Sequence, residues 1–172
     1  MALWTPGLKH YWPLIQQKAT EHGLDPYLLA ALVLQESSGN TDGFRWEPDF
    51  YNRYIRPKNL YPGQNPRRVS SSYGLCQVML PTAHERGYPK DQPPEGLFVP
   101  EVGLEYGCKQ LKWLQAWLER TYPTSPPPRR LRALLASYNG GRQGPDALRP
   151  RNAAYADSVL RHYATLKAEH QR

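Results

Sequence analysis

Apolar residues recur along this chain mostly at helical spacing, in blocks separated by proline, glycine and serine. The clearest block is D-P-Y-L-L-A-A-L-V-L-Q-E-S-S-G-N, from Asp25 to Asn40. Asp25 suits a helix cap and Pro26 the first helical position, while Ser37-Ser38-Gly39-Asn40 marks the end. Leu28, Leu32 and Glu36 follow one another every four residues and so project from one face, with Leu29 and Val33 beside them. The last member of that stripe is a carboxylate next to hydrocarbon. An acid at a helix C-terminus also opposes the macrodipole, at a cost of roughly 0.3–1 kcal/mol. Both effects disfavour the charged form and raise the pKa towards that of a useful proton donor. The competing reading is a solvated glutamate where the chain returns to water, and periodicity alone leaves both open.

The pattern elsewhere predicts further helices. One covers about Tyr11 to His22 and stops at Gly23; another runs from about Pro100 to Arg120, with Leu104, Leu111, Leu114 and Leu118 near one face. Y-P-T-S-P-P-P-R-R then reads as a stiff connector. An apolar helix from Leu131 to Tyr138 halts at Asn139-Gly140-Gly141, and a last helix spans about Ala153 to Ala168. S-S-Y-G-L-C-Q-V-M-L-P-T-A-H-E-R reads as a turn leading into a short helix or hairpin. Residues from about 41 to 69 form a long, irregular, aromatic-rich insertion, the kind of connection that is usually functional or mobile. The expected fold is mainly α, with little or no β structure, as a single domain over residues 1–172.

At 172 residues the chain can bury a real core. No stretch approaches the length of a transmembrane helix. The start, M-A-L-W-T-P-G-L-K-H, lacks the basic-then-apolar order of a secretory signal, so the chain is expected to be soluble as written. The net charge of +7 favours polyanionic partners such as nucleic acid, anionic membranes or acidic wall polymers. No nucleic-acid module or phosphate-binding glycine loop accompanies the charge. Cys76 and Cys108 either bridge or remain buried thiols, and their apolar surroundings favour thiols. No Cys/His cluster at ligand spacing is present, so no metal or cofactor is expected.

Four segments gain meaning as an ordered set: Glu36-Ser37, Y-G-L-C-Q-V-M-L-P-T-A from Tyr73 to Ala83, L-L-A-S-Y-N-G-G from Leu134 to Gly141, and Tyr155 to Tyr163. This order resembles the soluble lytic transglycosylase catalytic domain, a lysozyme-like family related to goose-type lysozymes. The segment L-F-V-P-E-V-G-L-E-Y-G-C-K-Q-L supports it, and the resemblance covers about Leu24 to Tyr163. It implies cleavage of peptidoglycan between N-acetylmuramic acid and N-acetylglucosamine, with Glu36 as a single catalytic acid that then serves as base. It further implies substrate-binding roles for Ser37, Gln77, Met79, Tyr138, Asn139 and Tyr155. Tyr138 is expected to hydrogen-bond the Glu36 carboxyl and Asn139 to bind an acetamido group. Structural alternatives stand beside these: Gln77 as a loop tie, Met79 and Tyr155 as core, Asn139-Gly140 as a helix C-cap. The resemblance places the activity at the bacterial cell wall or periplasm. Delivery by a phage, by a secretion system, or as the mature part of an exported enzyme all fit, and a monomer is expected.

The departures from the family pattern are specific. Cys76 stands for the methionine of G-L-M-Q, Ser71-Ser72 for Gly-Ala, and Gly103 and Gln110 for the common asparagine and tyrosine. Arg151 lies where many members have a glutamate. In the insertion, F-R-W-E-P-D-F-Y-N-R-Y joins aromatics to Arg45, Arg53 and Arg56, which suits sugar stacking and attraction of peptide carboxylates; buried packing of a long loop is the alternative. A muramidase would need a second carboxylate, with Asp42, Glu47 and Asp49 as candidates. A non-catalytic wall-binding module is the reading from another class, although binding alone does not require Glu36.

Overall fold

The computed structural model describes residues 3–170. Eight α-helices, three short non-α helical turns (Tyr51–Ile55, Arg56–Lys58 and Pro94–Phe98) and one small sheet carry this part of the chain. The helices are α1 (Pro6–Glu21), α2 (Pro26–Ser37), α3 (Pro48–Phe50), α4 (Pro66–Val69), α5 (Leu80–Glu85), α6 (Pro100–Thr121), α7 (Pro127–Gly140) and α8 (Pro150–His170). Strands β1 (Phe44–Trp46), β2 (Ser71–Tyr73) and β3 (Val78–Met79) form an antiparallel sheet in the order β1-β2-β3. The fold is mainly α, as expected, with its β structure confined to one small sheet. No helix among the described residues is long and apolar enough to cross a membrane.

Helix α2 is the centre of the molecule. Leu29, Ala30, Ala31, Leu32, Val33 and Leu34 are all buried, so α2 is apolar all round rather than striped. Asp25 caps it by accepting from Tyr27 N (2.8 Å) and Leu28 N (3.4 Å). Helices α1 and α8 pack on α2, and α7 packs on α6 and α8. Three side-chain bonds run along the α2–α8 seam: Tyr163 Oη to Asp25 Oδ2 (2.7 Å), Ser158 Oγ to Gln35 Oε1 (2.7 Å), and Tyr155 Oη to Glu36 Oε1. A bidentate pair, Arg132 with Asp157 at 2.7 and 2.8 Å, joins α7 to α8.

Several boundaries differ from the sequence expectation, each for a local reason. Helix α1 starts at Pro6, not Tyr11, because Thr5 accepts from Leu8 N (3.1 Å) and Pro6 supplies the favoured first residue. It carries Pro13 within it. The proline run before α7 initiates that helix at Pro127 instead of only separating it from α6. The segment read as turn then helix or hairpin contains both, β2-β3 followed by α5. The 41–69 insertion is less irregular than expected. It supplies β1, then α3 continues into wider turns over Tyr51–Ile55 and a tight turn over Arg56–Lys58. Of its aromatics, Phe50, Tyr51 and Tyr61 pack against the core, while Phe44, Trp46 and Tyr54 stay exposed. Cys76 and Cys108 are both buried free thiols.

Candidate active site

The C-terminal end of α2 opens into a cleft of about 610 Å³ with Glu36 among its lining residues. That volume suits a ligand the size of a few sugar rings. The sheet forms one wall. Arg45 lies opposite Ser72, and Ser72 opposite Met79, so one residue from each strand forms a row facing the cleft. Alternation sends Phe44 and Trp46 to the other face, where the Arg67 guanidinium lies 5.7 and 5.8 Å from their rings. Glu47, Phe50 and Tyr54 extend this wall from the insertion. Thr82 on α5 and Gln110 on α6 add to the lining; Gln110 Oε1 accepts from Arg86 Nε at 2.7 Å. The far wall is the end of α7 and the start of α8: Tyr138, Asn139, Gly140, Gly141, Arg149, Arg151 and Asn152.

The Glu36 carboxyl is screened from water by this setting. Loss of hydration raises its pKa above 4.5, the Tyr155 hydrogen bond and the Arg45 charge oppose that rise, and Glu47 adds to it. Burial is the largest of these effects, so the proton is held more tightly than on a free glutamate. Tyr155 is held protonated by its own burial and by the carboxylate beside it. It is therefore a fixed donor to Glu36.

The bond to Glu36 comes from Tyr155, where the sequence reading expected Tyr138. Tyr138 Oη instead donates to Cys76 O at 2.8 Å, because α8, not α7, crosses the end of α2 at the carboxylate. Tyr138 lines the cleft and anchors the Leu75–Gln77 turn. Ser37 belongs to the same anchor, its Oγ lying 2.9 Å from Leu75 O and 3.2 Å from Val33 O, and it is not part of the cleft lining. Gln77 lines the cleft with φ +49°, a left-handed conformation that non-glycine residues rarely hold outside tightly determined sites. Its Nε2 donates to Gly74 O at 3.0 Å, so it also ties its own turn. Met79 lines the cleft half-buried. Asn139 is not a C-cap: α7 continues through Gly140, and Gly141 ends it at φ +79°. Gly140 is required for a contact instead, since a Cβ there would lie 2.3 Å from the Asn152 amide.

Of the three insertion carboxylates, Glu47 lines the cleft and Asp42 and Asp49 do not. Glu47 is hydrogen-bonded by Arg45. The sequence reading missed Gln143, which is almost fully buried and organises the whole α7–α8 connection. Its backbone N–H donates to Ser137 Oγ (2.9 Å), its Nε2 to Ala136 O (3.2 Å) and Gly141 O (3.1 Å), and its Oε1 accepts from Arg149 N (2.8 Å). Nothing in R-Q-G-P-D announces this role. The His22, Glu21 and Glu105 carboxylate–imidazole cluster lies elsewhere, and Lys18 bonds both glutamates at 2.8 and 2.9 Å.

The model of the transglycosylase SLT domain family matches residues 13–157 of the chain. Among solved structures, an inactive mutant of the lytic transglycosylase Slt from Pseudomonas aeruginosa superposes with a TM-score of 0.57. The two sequences are 19% identical, and the match covers 87% of this chain and 22% of that one. The protein thus spans about a fifth of the length of that relative, with which it shares the fold. No curated protein matches it in sequence.

Proposed function

The chain belongs to the transglycosylase SLT domain family, and on that premise we propose that it is a peptidoglycan lytic transglycosylase. It cleaves the β-1,4 bond between N-acetylmuramic acid and N-acetylglucosamine and leaves a 1,6-anhydro end. The observation that carries this reading is a single desolvated carboxyl, Glu36, held at the foot of a sugar-sized cleft by Tyr155.

In the proposed sequence Glu36 gives its proton to the glycosidic oxygen as the bond to the anomeric carbon breaks. The resulting carboxylate takes the proton of the muramoyl 6-hydroxyl, whose oxygen bonds to the anomeric carbon. The acid is regenerated and no water is consumed. Burial suits both halves: it favours the proton at the start and makes the carboxylate that follows a stronger base. Tyr155 orients the carboxyl and stabilises it once charged. Asn139 lines the cleft with a side-chain amide that has no hydrogen bond among the described residues, and an amide of this kind can both donate to and accept from an acetamido group.

Hydrolysis of the same bond is the second reading, favoured by the presence of Glu47 in the cleft. A retaining or inverting hydrolase needs such a second carboxylate. Mass spectrometry of digested sacculi separates the two, because the anhydro product is lighter by one water. Anhydro ends are expected. Reducing ends alone, lost in Glu47→Gln, would transfer the assignment to a muramidase. The site of action under either reading is the bacterial cell wall.

A further inference from the structure

The cleft is asymmetric in charge. Three guanidinium groups line it, from Arg45, Arg149 and Arg151, against the two carboxylates of Glu36 and Glu47. Arg45 is already engaged by Glu47. On the opposite wall neither Arg149 nor Arg151 has an acidic partner among the described residues, and the Arg149 side chain donates to Gly140 O. Arg151 is exposed. These side chains do not hang from a loose loop. Gln143 holds the backbone of Arg149 at 2.8 Å from inside the fold, and Asn152, buried against Gly140, anchors the chain immediately after Arg151. The structure thus presents two cations, on an anchored stretch of backbone, in the lining of the cleft that holds the candidate acid.

We propose that this wall binds the carboxylates of the peptide stem carried by muramic acid, so that the enzyme prefers glycan bearing anionic stems. The proposal rests on the glycan-cleaving reading above and adds to it which substituted form of the glycan is the substrate. Guanidinium groups suit the task because their planar fork meets a carboxylate with two parallel hydrogen bonds. A stem lies beside the scissile bond, since the lactyl group that carries it is on the same sugar as the attacking 6-hydroxyl. The insertion wall offers the opposite chemistry, with aromatic rings at Phe50 and Tyr54 for the sugar faces.

The test compares three soluble, uncrosslinked glycan preparations: stem-bearing strands, the same strands with carboxylates coupled to methylamine by a carbodiimide, and strands stripped of stems by an amidase. For the unaltered protein, kcat/KM on stem-bearing strands is expected to exceed that on amidated strands by roughly three- to tenfold, the scale of two exposed ion pairs. The preference should shrink at high salt. It should collapse towards one in Arg149→Gln/Arg151→Gln and fall partway in Arg151→Gln, whose exposed side chain leaves folding intact. Equal rates on stem-bearing and amidated strands, or a preference that survives in the double variant, overturns the proposal. Full preference on stripped strands, whose carboxylate is the lactyl one, overturns the assignment to stems. Failure of the unaltered protein to cleave any preparation strikes the underlying reading instead.

Discussion

Tyr155 donates its phenolic hydrogen to Glu36 Oε1, joining α8 to α2 between residues 119 positions apart. The bond favours the charged carboxyl, while burial favours the neutral one. In Tyr155→Phe only the Arg45 charge still opposes burial, so the Glu36 pKa rises further. The high-pH limb of the kcat profile should therefore move to higher pH, while kcat itself falls on the order of tenfold as the carboxyl loses its orientation. A profile that keeps its limb would show that Tyr155 acts on packing alone.

Glu36→Gln should remove cleavage by roughly a thousandfold while sacculus binding persists. The same change should stabilise the fold near neutral pH. Because the folded pKa lies above 4.5, the folded state holds the proton more tightly than the unfolded chain. Stability is therefore lost as pH rises from 4.5 through the folded value, and below 4.5 both states are protonated and the loss vanishes. Thermal melts should show the variant ahead by roughly 1 kcal/mol near neutrality. The gap should close in acid, and a constant gap would contradict the buried-acid picture.

Gly107→Ala should destabilise the protein by about 1–3 kcal/mol, as overpacking does. The new methyl would lie 2.7 Å from Cys76 Sγ and 2.8 Å from its Cβ. Cys76 stands in the turn that Ser37 and Tyr138 anchor, so cleavage should fall with stability. Denaturant midpoints beside initial rates check both; an unchanged midpoint would mean the turn has room to yield.

Tyr54→Ala removes an exposed ring that lines the cleft and stands 5.0 Å from Phe50. KM for sacculi should rise roughly two- to tenfold, the worth of one stacking contact, with stability within about 0.5 kcal/mol. This substitution tests the insertion more cleanly than removal of residues 44–61. That deletion also takes away β1 and the buried Ile55.

What was legible in the sequence was local. Asp25 and Pro26 announce α2 through capping chemistry, and Leu104, Leu111, Leu114 and Leu118 announce the buried face of α6, because each signal lies within one element. Glu36, Gln77, Met79 and Asn139 were found together through motif order, and the structure brings all four to one cleft. The choice between Tyr138 and Tyr155 was not legible, since it depends on which helix crosses the end of α2. Strand β1 was not legible either: three residues are too few to display an alternation. Gln143 was hidden for a further reason. Its four partners come from the end of α7, from Gly141 beyond it and from the Arg149 backbone, and only the closed loop brings them within reach.

The row of Arg45, Ser72 and Met79 gives that three-residue strand a weight beyond its length. Side chains alternate at every step along it, so a slip of one position relative to Ser72 would turn Phe44 or Trp46 inward and Arg45 outward. One residue gained or lost in the Asn40–Gly43 stretch would thereby exchange a guanidinium for an aromatic ring beside the acid. A change of length just before β1 would thus trade charge recognition for stacking without a substitution in the strand itself.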